Sequence, residues 1–91
     1  MSEKSTIRRV AAQIACGLVD IYGLDATSFG DGHINIYLRD YFGYVNFMDN
    51  KWSIEFKSKQ TGATYRTIVC KDVFNFDHVF AAVEAALSKV L

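Results

Sequence analysis

The groups in this chain able to do chemistry are His33 and His78, Cys16 and Cys70, and a scatter of carboxylates. The histidines are the side chains that titrate near neutrality without perturbation, but each lies far in sequence from any nucleophile it could activate. His33 opens an expected strand and His78 falls in the first turn of an expected helix, so both read as ordinary polar positions. Cys16 sits among apolar helix residues and is expected in the core. Cys70 is expected to be partly exposed at a strand end. Their spacing matches neither a zinc site nor a redox pair. Phe29-Gly30-Asp31-Gly32-His33 could shape an anion-binding turn, yet it lacks the preceding strand and following helix that give a phosphate loop its force, and it reads as a loop spacer. Asp20, Asp25 and Asp31 do not have the spacing of a calcium loop. Glu55 is a lone carboxylate on a strand that also carries lysines. The sequence thus points to a non-enzymatic protein with no cofactor and no metal.

The elements that must position these groups follow from periodicity. Ile7, Val10, Ala11, Ile14 and Leu18 recur at three- and four-residue steps, with Arg8, Arg9, Gln13 and Asp20 opposite. This predicts a helix over about 6 to 22, capped by Ser5 and ended by Gly23. Residues 25 to 32 read as a loop. A second helix, capped by Asn75 or Asp77, carries Phe80, Val83, Leu87 and Val90 at helical period to the last residue. Between them, Trp52, Ile54 and Phe56 alternate with Ser53, Glu55 and Lys57, the pattern of a half-buried strand. Asp49-Asn50 suits a tight hairpin turn because both residue types tolerate positive φ. That turn sets Phe47 opposite Trp52, Val45 opposite Ile54 and Gly43 opposite Phe56. A turn at Arg39-Asp40 sets Ile34 against Val45 and Ile36 against Gly43; one at Thr61-Gly62 sets Val69 against Ile54 and Thr67 against Phe56.

The expected fold class is α+β in the order α-β-β-β-β-α: a four-stranded antiparallel meander with both helices packed on one face, one domain over residues 1–91. The rival packing places one helix on each face. Composition agrees with a packed core, since 51% of residues are hydrophobic and 14% aromatic. The polar opening MSEKSTIRR is followed by no apolar run suited to a signal or a membrane span, so a reduced, cytoplasmic setting and no membrane partner are expected.

In this register the outer sheet face carries Tyr37, Phe42, Tyr44, Met48, Ile68 and Cys70 among Asn35, Asn46, Lys51, Ser53, Glu55, Lys57 and Arg66. A second apolar face must be covered or used to bind something. Ten basic and ten acidic residues cancel, which removes the global attraction that many nucleic-acid binders use. The expected function is therefore protein binding, with Tyr37, Phe42 and Tyr44 as anchors and Lys51, Lys57 and Arg66 steering the contact. The alternatives are a homodimer formed through the sheet and single-stranded nucleic-acid binding. By analogy of size and type, a compact chain without a catalytic set also suits the inhibitor style of phage-encoded anti-defence proteins.

Phe42-Gly43-Tyr44-Val45-Asn46-Phe47 resembles the second half of the RNP1 motif of RNA-recognition motifs, and Ile36-Tyr37-Leu38 resembles the start of RNP2. The resemblance implies base stacking on Tyr37, Phe42 and Tyr44, with Lys51, Lys57 and Arg66 near phosphates. Asp40 and Tyr41 stand where that motif has a basic residue and a glycine, and the order of elements differs. The likeness is therefore one of surface chemistry.

Overall fold

The computed structural model describes residues 3–91. Its elements are α1 (Glu3–Tyr22), β1 (Asp25–Phe29), β2 (His33–Tyr37), β3 (Tyr41–Met48), β4 (Lys51–Ser58), β5 (Thr64–Val69) and α2 (Phe76–Leu87). The sheet is an antiparallel meander in the order β1-β2-β3-β4-β5. The class is α+β as expected, but the sheet has five strands rather than four. The additional one is β1, in the segment read as a loop.

The turn between β3 and β4 is the anticipated one. Asp49 and Asn50 take φ values of 54° and 61°, so two residues reverse the chain with the twist that flanking strands prefer. Phe47 pairs with Trp52, Val45 with Ile54 and Gly43 with Phe56. The β2–β3 register, Ile34 to Val45 and Ile36 to Gly43, also holds. The last hairpin differs by two residues. Ile54 faces Thr67 and Phe56 faces Tyr65, while Val69 faces Trp52. The Ser58 hydroxyl accepts from the amides of Gln60 and Thr61 at 3.3 and 3.2 Å, and the Ser58 amide donates to the Ala63 carbonyl at 2.8 Å. Lys59 to Gly62 thus form the loop, with Gly62 at φ 77° closing it. An even shift preserves facing, so the core is unaffected.

Both helices lie on the inner face. Ile7, Val10, Ala11, Ile14, Ala15 and Leu18 of α1 and Val79, Phe80, Val83, Ala86 and Leu87 of α2 pack over Ile34, Ile36, Val45, Trp52, Ile54, Phe56 and Val69. α1 covers β1 and β2; α2 covers β4 and β5. The helices touch where Gly17 lets the Phe80 ring approach: a Cβ there would stand 2.8 Å from Phe80 Cε1. Helix boundaries differ modestly from expectation. α1 begins at Glu3, so Ser5 lies inside it, and Asn75 is the α2 cap, its Oδ1 accepting from the His78 amide at 3.3 Å. α2 ends at Leu87, although Val90 still packs on the core.

Cys16 is exposed, not core. It follows Ile14 by two residues, about 200° around the helix, which turns it to the far side. No helix among the described residues is long and apolar enough to cross a membrane.

Two buried details carry stability. Trp52 is fully buried with its indole N–H donating to the Val73 carbonyl at 2.8 Å, which satisfies both groups away from water. Gly43 has no side chain because Phe56 lies against the strand there: a Cβ would sit 2.6 Å from Phe56 Cε1 and 2.9 Å from Ile36 Cβ. Gly43→Ala should therefore cost about 1–3 kcal/mol by overpacking, read as a lower urea midpoint with an unchanged slope.

On the surface, Arg8 donates from Nη2 to Asp31 Oδ1 at 2.7 Å, tying α1 to the β1–β2 turn. That hydrogen bond holds the Asp31 carboxyl below the usual carboxylate range. Its contribution is fully present above that range and is lost as pH falls through the lowered value. Asp31→Asn should slightly lower the melting temperature at neutral pH, and the difference from the parent should narrow as pH falls through the lowered value of the Asp31 carboxyl.

Candidate functional site

The outer sheet face is covered by neither helix, and its geometry follows from the register. Four levels cross the strands. The first runs Asp25, Tyr37, Phe42, Lys57, Thr64; the second Thr27, Asn35, Tyr44, Glu55, Arg66; the third Phe29, His33, Asn46, Ser53, Ile68. Met48 and Lys51 make the fourth. Every sequence-predicted site residue lies on this face, and the three aromatic ones are neighbours. Tyr37 and Phe42 pair directly, with ring centroids 5.4 Å apart, and Tyr44 is one level along β3 from Phe42.

Two members of the face escaped the sequence reading. Phe29 ends β1 and stacks on His33 at 5.5 Å, with the rings 22° from parallel. His33 Nδ1 lies 2.5 Å from the Tyr44 hydroxyl. The rings thus form a connected strip from Phe29 through His33 to Tyr44, with Tyr37 and Phe42 beside it. His33 shares its facing with Asn35 and Tyr37, so extending the strand alternation by one step would have placed it. Phe29 carries no such signal, because the segment that forms β1 reads as a loop.

The three cations do not form the basic flank that was expected. Arg66 is bonded to Glu55 through both Nε and Nη2, its Nε donating to Oε1 at 2.8 Å, so its charge is answered within the face. This also gives Glu55 its partner, directly across the β4–β5 pair. Lys51 and Lys57 occupy opposite ends of β4, roughly 20 Å apart at the rise of an extended strand. Asp25 lies in the same level as Lys57, and Asp49 precedes Lys51 by two residues.

The exposure is substantial at the rim and smaller at the centre. Tyr37 is 45%, Phe29 48%, Ile68 49% and Met48 60% exposed, whereas Phe42, Tyr44 and His33 are half-buried by their neighbours. A shallow depression on this face is lined by Tyr44, Asn46, Met48, Ser53, Glu55 and Ile68, among others. It offers apolar walls with a paired carboxylate and guanidinium at one end. Asn46 Oδ1 is buried there and has no hydrogen-bond partner among the described residues. Among the described residues no cluster of three or more histidines, cysteines or carboxylates could hold a metal ion. His78 and Cys70 are exposed and belong to no such group.

Comparison with protein-family models, curated proteins and solved structures returned no match, so this face is interpreted on its own geometry.

Tyr44→Phe removes the hydroxyl that His33 bonds and leaves the ring in place. The expected result is a folded protein, destabilised by no more than about 1.5 kcal/mol. The His33 imidazole nitrogen resonances should shift while those of His78 stay put, as read by nitrogen NMR.

Proposed function

We propose that this chain is a small, non-enzymatic protein-docking domain that presents its open sheet face to another protein. The observation that carries the reading is the connected aromatic strip, Phe29-His33-Tyr44 with Tyr37 and Phe42 alongside, exposed on a face whose Glu55–Arg66 pair is internally satisfied. Aromatic anchors ringed by polar groups, with few free charges, match the composition of protein interfaces. Each ring fully buried at a contact contributes about 1.5–3 kcal/mol, so a few neighbouring rings suffice to anchor a specific partner. Inhibition by occluding a partner's working surface is the form this takes in a chain without catalytic groups.

The same geometry weakens the nucleic-acid alternative. Stacking rings are present, but phosphate tracking needs a line of free cations beside them. Arg66 is committed to Glu55, and the two lysines sit at opposite ends of β4.

The test compares the parent with a Phe42→Ser/Tyr44→Ser variant shown to be folded by circular dichroism. A protein captured by the parent should be held at least about tenfold more weakly by the variant, and that affinity should change little as salt is raised. A thymidine oligonucleotide should not bind. Equal capture by both forms, or oligonucleotide binding that falls steeply with salt and is lost in the variant, would overturn the reading.

A further inference from the structure

A second surface is independent of the sheet face. β5 is an edge strand, and its free side is bare. In β4–β5 the Ser58 amide donates to the Ala63 carbonyl, which fixes the alternation: Tyr65, Thr67 and Val69 turn their backbone groups toward β4, while Thr64, Arg66 and Ile68 turn theirs outward. Among the described residues no other element reaches those outward groups, and Thr64, Tyr65, Arg66 and Ile68 are all exposed. Edge strands normally carry a device against pairing, such as proline, a bulge, an inward-pointing charge or very short length. β5 has none of these: Thr-Tyr-Arg-Thr-Ile-Val is an unbroken run of strand-forming residues with one charge, and that charge is paired with Glu55 on the outer face. The other edge, β1, is one residue shorter and begins with Asp25.

We propose that β5 pairs with β5 of a second copy of this chain, antiparallel about a two-fold axis, continuing one sheet through both molecules. The sequence selects the register. Centring on Arg66 would set the two guanidinium groups opposite each other, which is unfavourable. Moving the centre one residue along, to Thr67, sets Arg66 against the partner's Ile68 and Ile68 against the partner's Arg66. Outward-facing backbone groups then meet outward-facing ones, and each such pair exchanges two N–H···O bonds. On the inner face Tyr65 meets the partner's Val69, and Thr67 meets the partner's Thr67, a favourable threonine pair. No like charges face each other. The arrangement is isologous and closes after two copies, so it consumes both bare edges without building a fibre. It also leaves both aromatic faces open on the same side, presenting a docked protein with two strips in place of one.

Analytical ultracentrifugation of the parent at about 0.5 mM, the weak end of specific association, reads the state directly. A dimer is expected, and Ile68→Lys, an exposed position that would place lysine against the partner's Arg66 twice, should weaken dimerisation at least tenfold while the circular dichroism is unchanged. Thr67→Cys in a Cys16→Ser/Cys70→Ser background tests the register. Non-hydrogen-bonded antiparallel partners stand about 4.5 Å apart at Cα, within the span of a disulfide. Oxidation should therefore give the covalent dimer, whereas Thr64→Cys in the same background should not. A parent that stays monomeric at this concentration overturns the proposal. So does a dimer that survives Ile68→Lys and is split instead by Tyr44→Lys, since that result would place the interface on the aromatic face.

Discussion

The whole molecule turns on which side of each strand faces the helices, and that is decided at the Asp49–Asn50 reversal. Two consecutive residues with φ 54° and 61° close the β3–β4 hairpin in the smallest loop compatible with its twist. Met48 is thereby set opposite Lys51, and the alternation of strands does the rest. A one-residue slip of β4 against β3 would turn Trp52, Ile54 and Phe56 to water and bring Ser53, Glu55 and Lys57 inward. Each of the three large side chains loses about 1.5–3 kcal/mol on exposure, and the buried charges add their desolvation. Turn chemistry and hydrophobic burial therefore specify the same register, and β2 and β5 inherit it through their ladders.

The consequence for the outer face is that its aromatic residues are exposed yet held. His33 is hydrogen-bonded to Tyr44 and stacked by Phe29; Tyr37 leans on Phe42; Arg66 is fixed by Glu55. These groups sit on paired strands, not on loops, and their partners restrict their rotamers before any ligand arrives. Association then immobilises fewer free side chains, which lowers one of its main costs. The same pairing removes Arg66 from the pool of free charges. What remains is a rigid apolar strip rimmed by separated polar groups, closer to a protein-binding surface than to an electrostatic track.

Much of this was legible in the sequence because the signals were strong where the packing is tight. Trp52, Ile54 and Phe56 alternate cleanly, and Asp49-Asn50 is a recognisable turn, so the central register and the outward direction of Tyr37, Phe42 and Tyr44 could be read from residues alone. β1 was hidden because its inward residues are Ala26 and Ser28. They are small because α1 lies close above them, and small polar residues do not advertise a strand. Gly30-Asp31-Gly32 consequently looked like a spacer, although Gly30 at φ 64° and Gly32 at φ 114° make it the turn of the first hairpin. The β4–β5 loop was misplaced for a similar reason. Thr61-Gly62 resembles a turn centre, but the Ser58 hydroxyl organises a longer loop from outside it. The Glu55–Arg66 pair depends on that two-residue shift, so a basic flank was expected where the structure has a neutral one.

The placement of the helices explains why the open surfaces lie where they do. α1 takes the β1–β2 side and α2 the β4–β5 side, and they meet across the sheet through Gly17 against Phe80 and through the Tyr22 hydroxyl, which donates to Glu84 at 2.5 Å. The Glu84 carboxylate holds that phenol in its protonated form to higher pH than usual, because ionising it would give up the hydrogen bond it donates and then set two negative charges together. Spanning the inner face in this way uses both helices completely. Among the described residues no further element remains to screen the outer face or to cap the β5 edge. A sheet built from alternating strands always has two sides and, unless it closes, two edges. Here one side is core, so any capacity to bind through the sheet is concentrated on the aromatic face and at the edges, of which β5 is the longer.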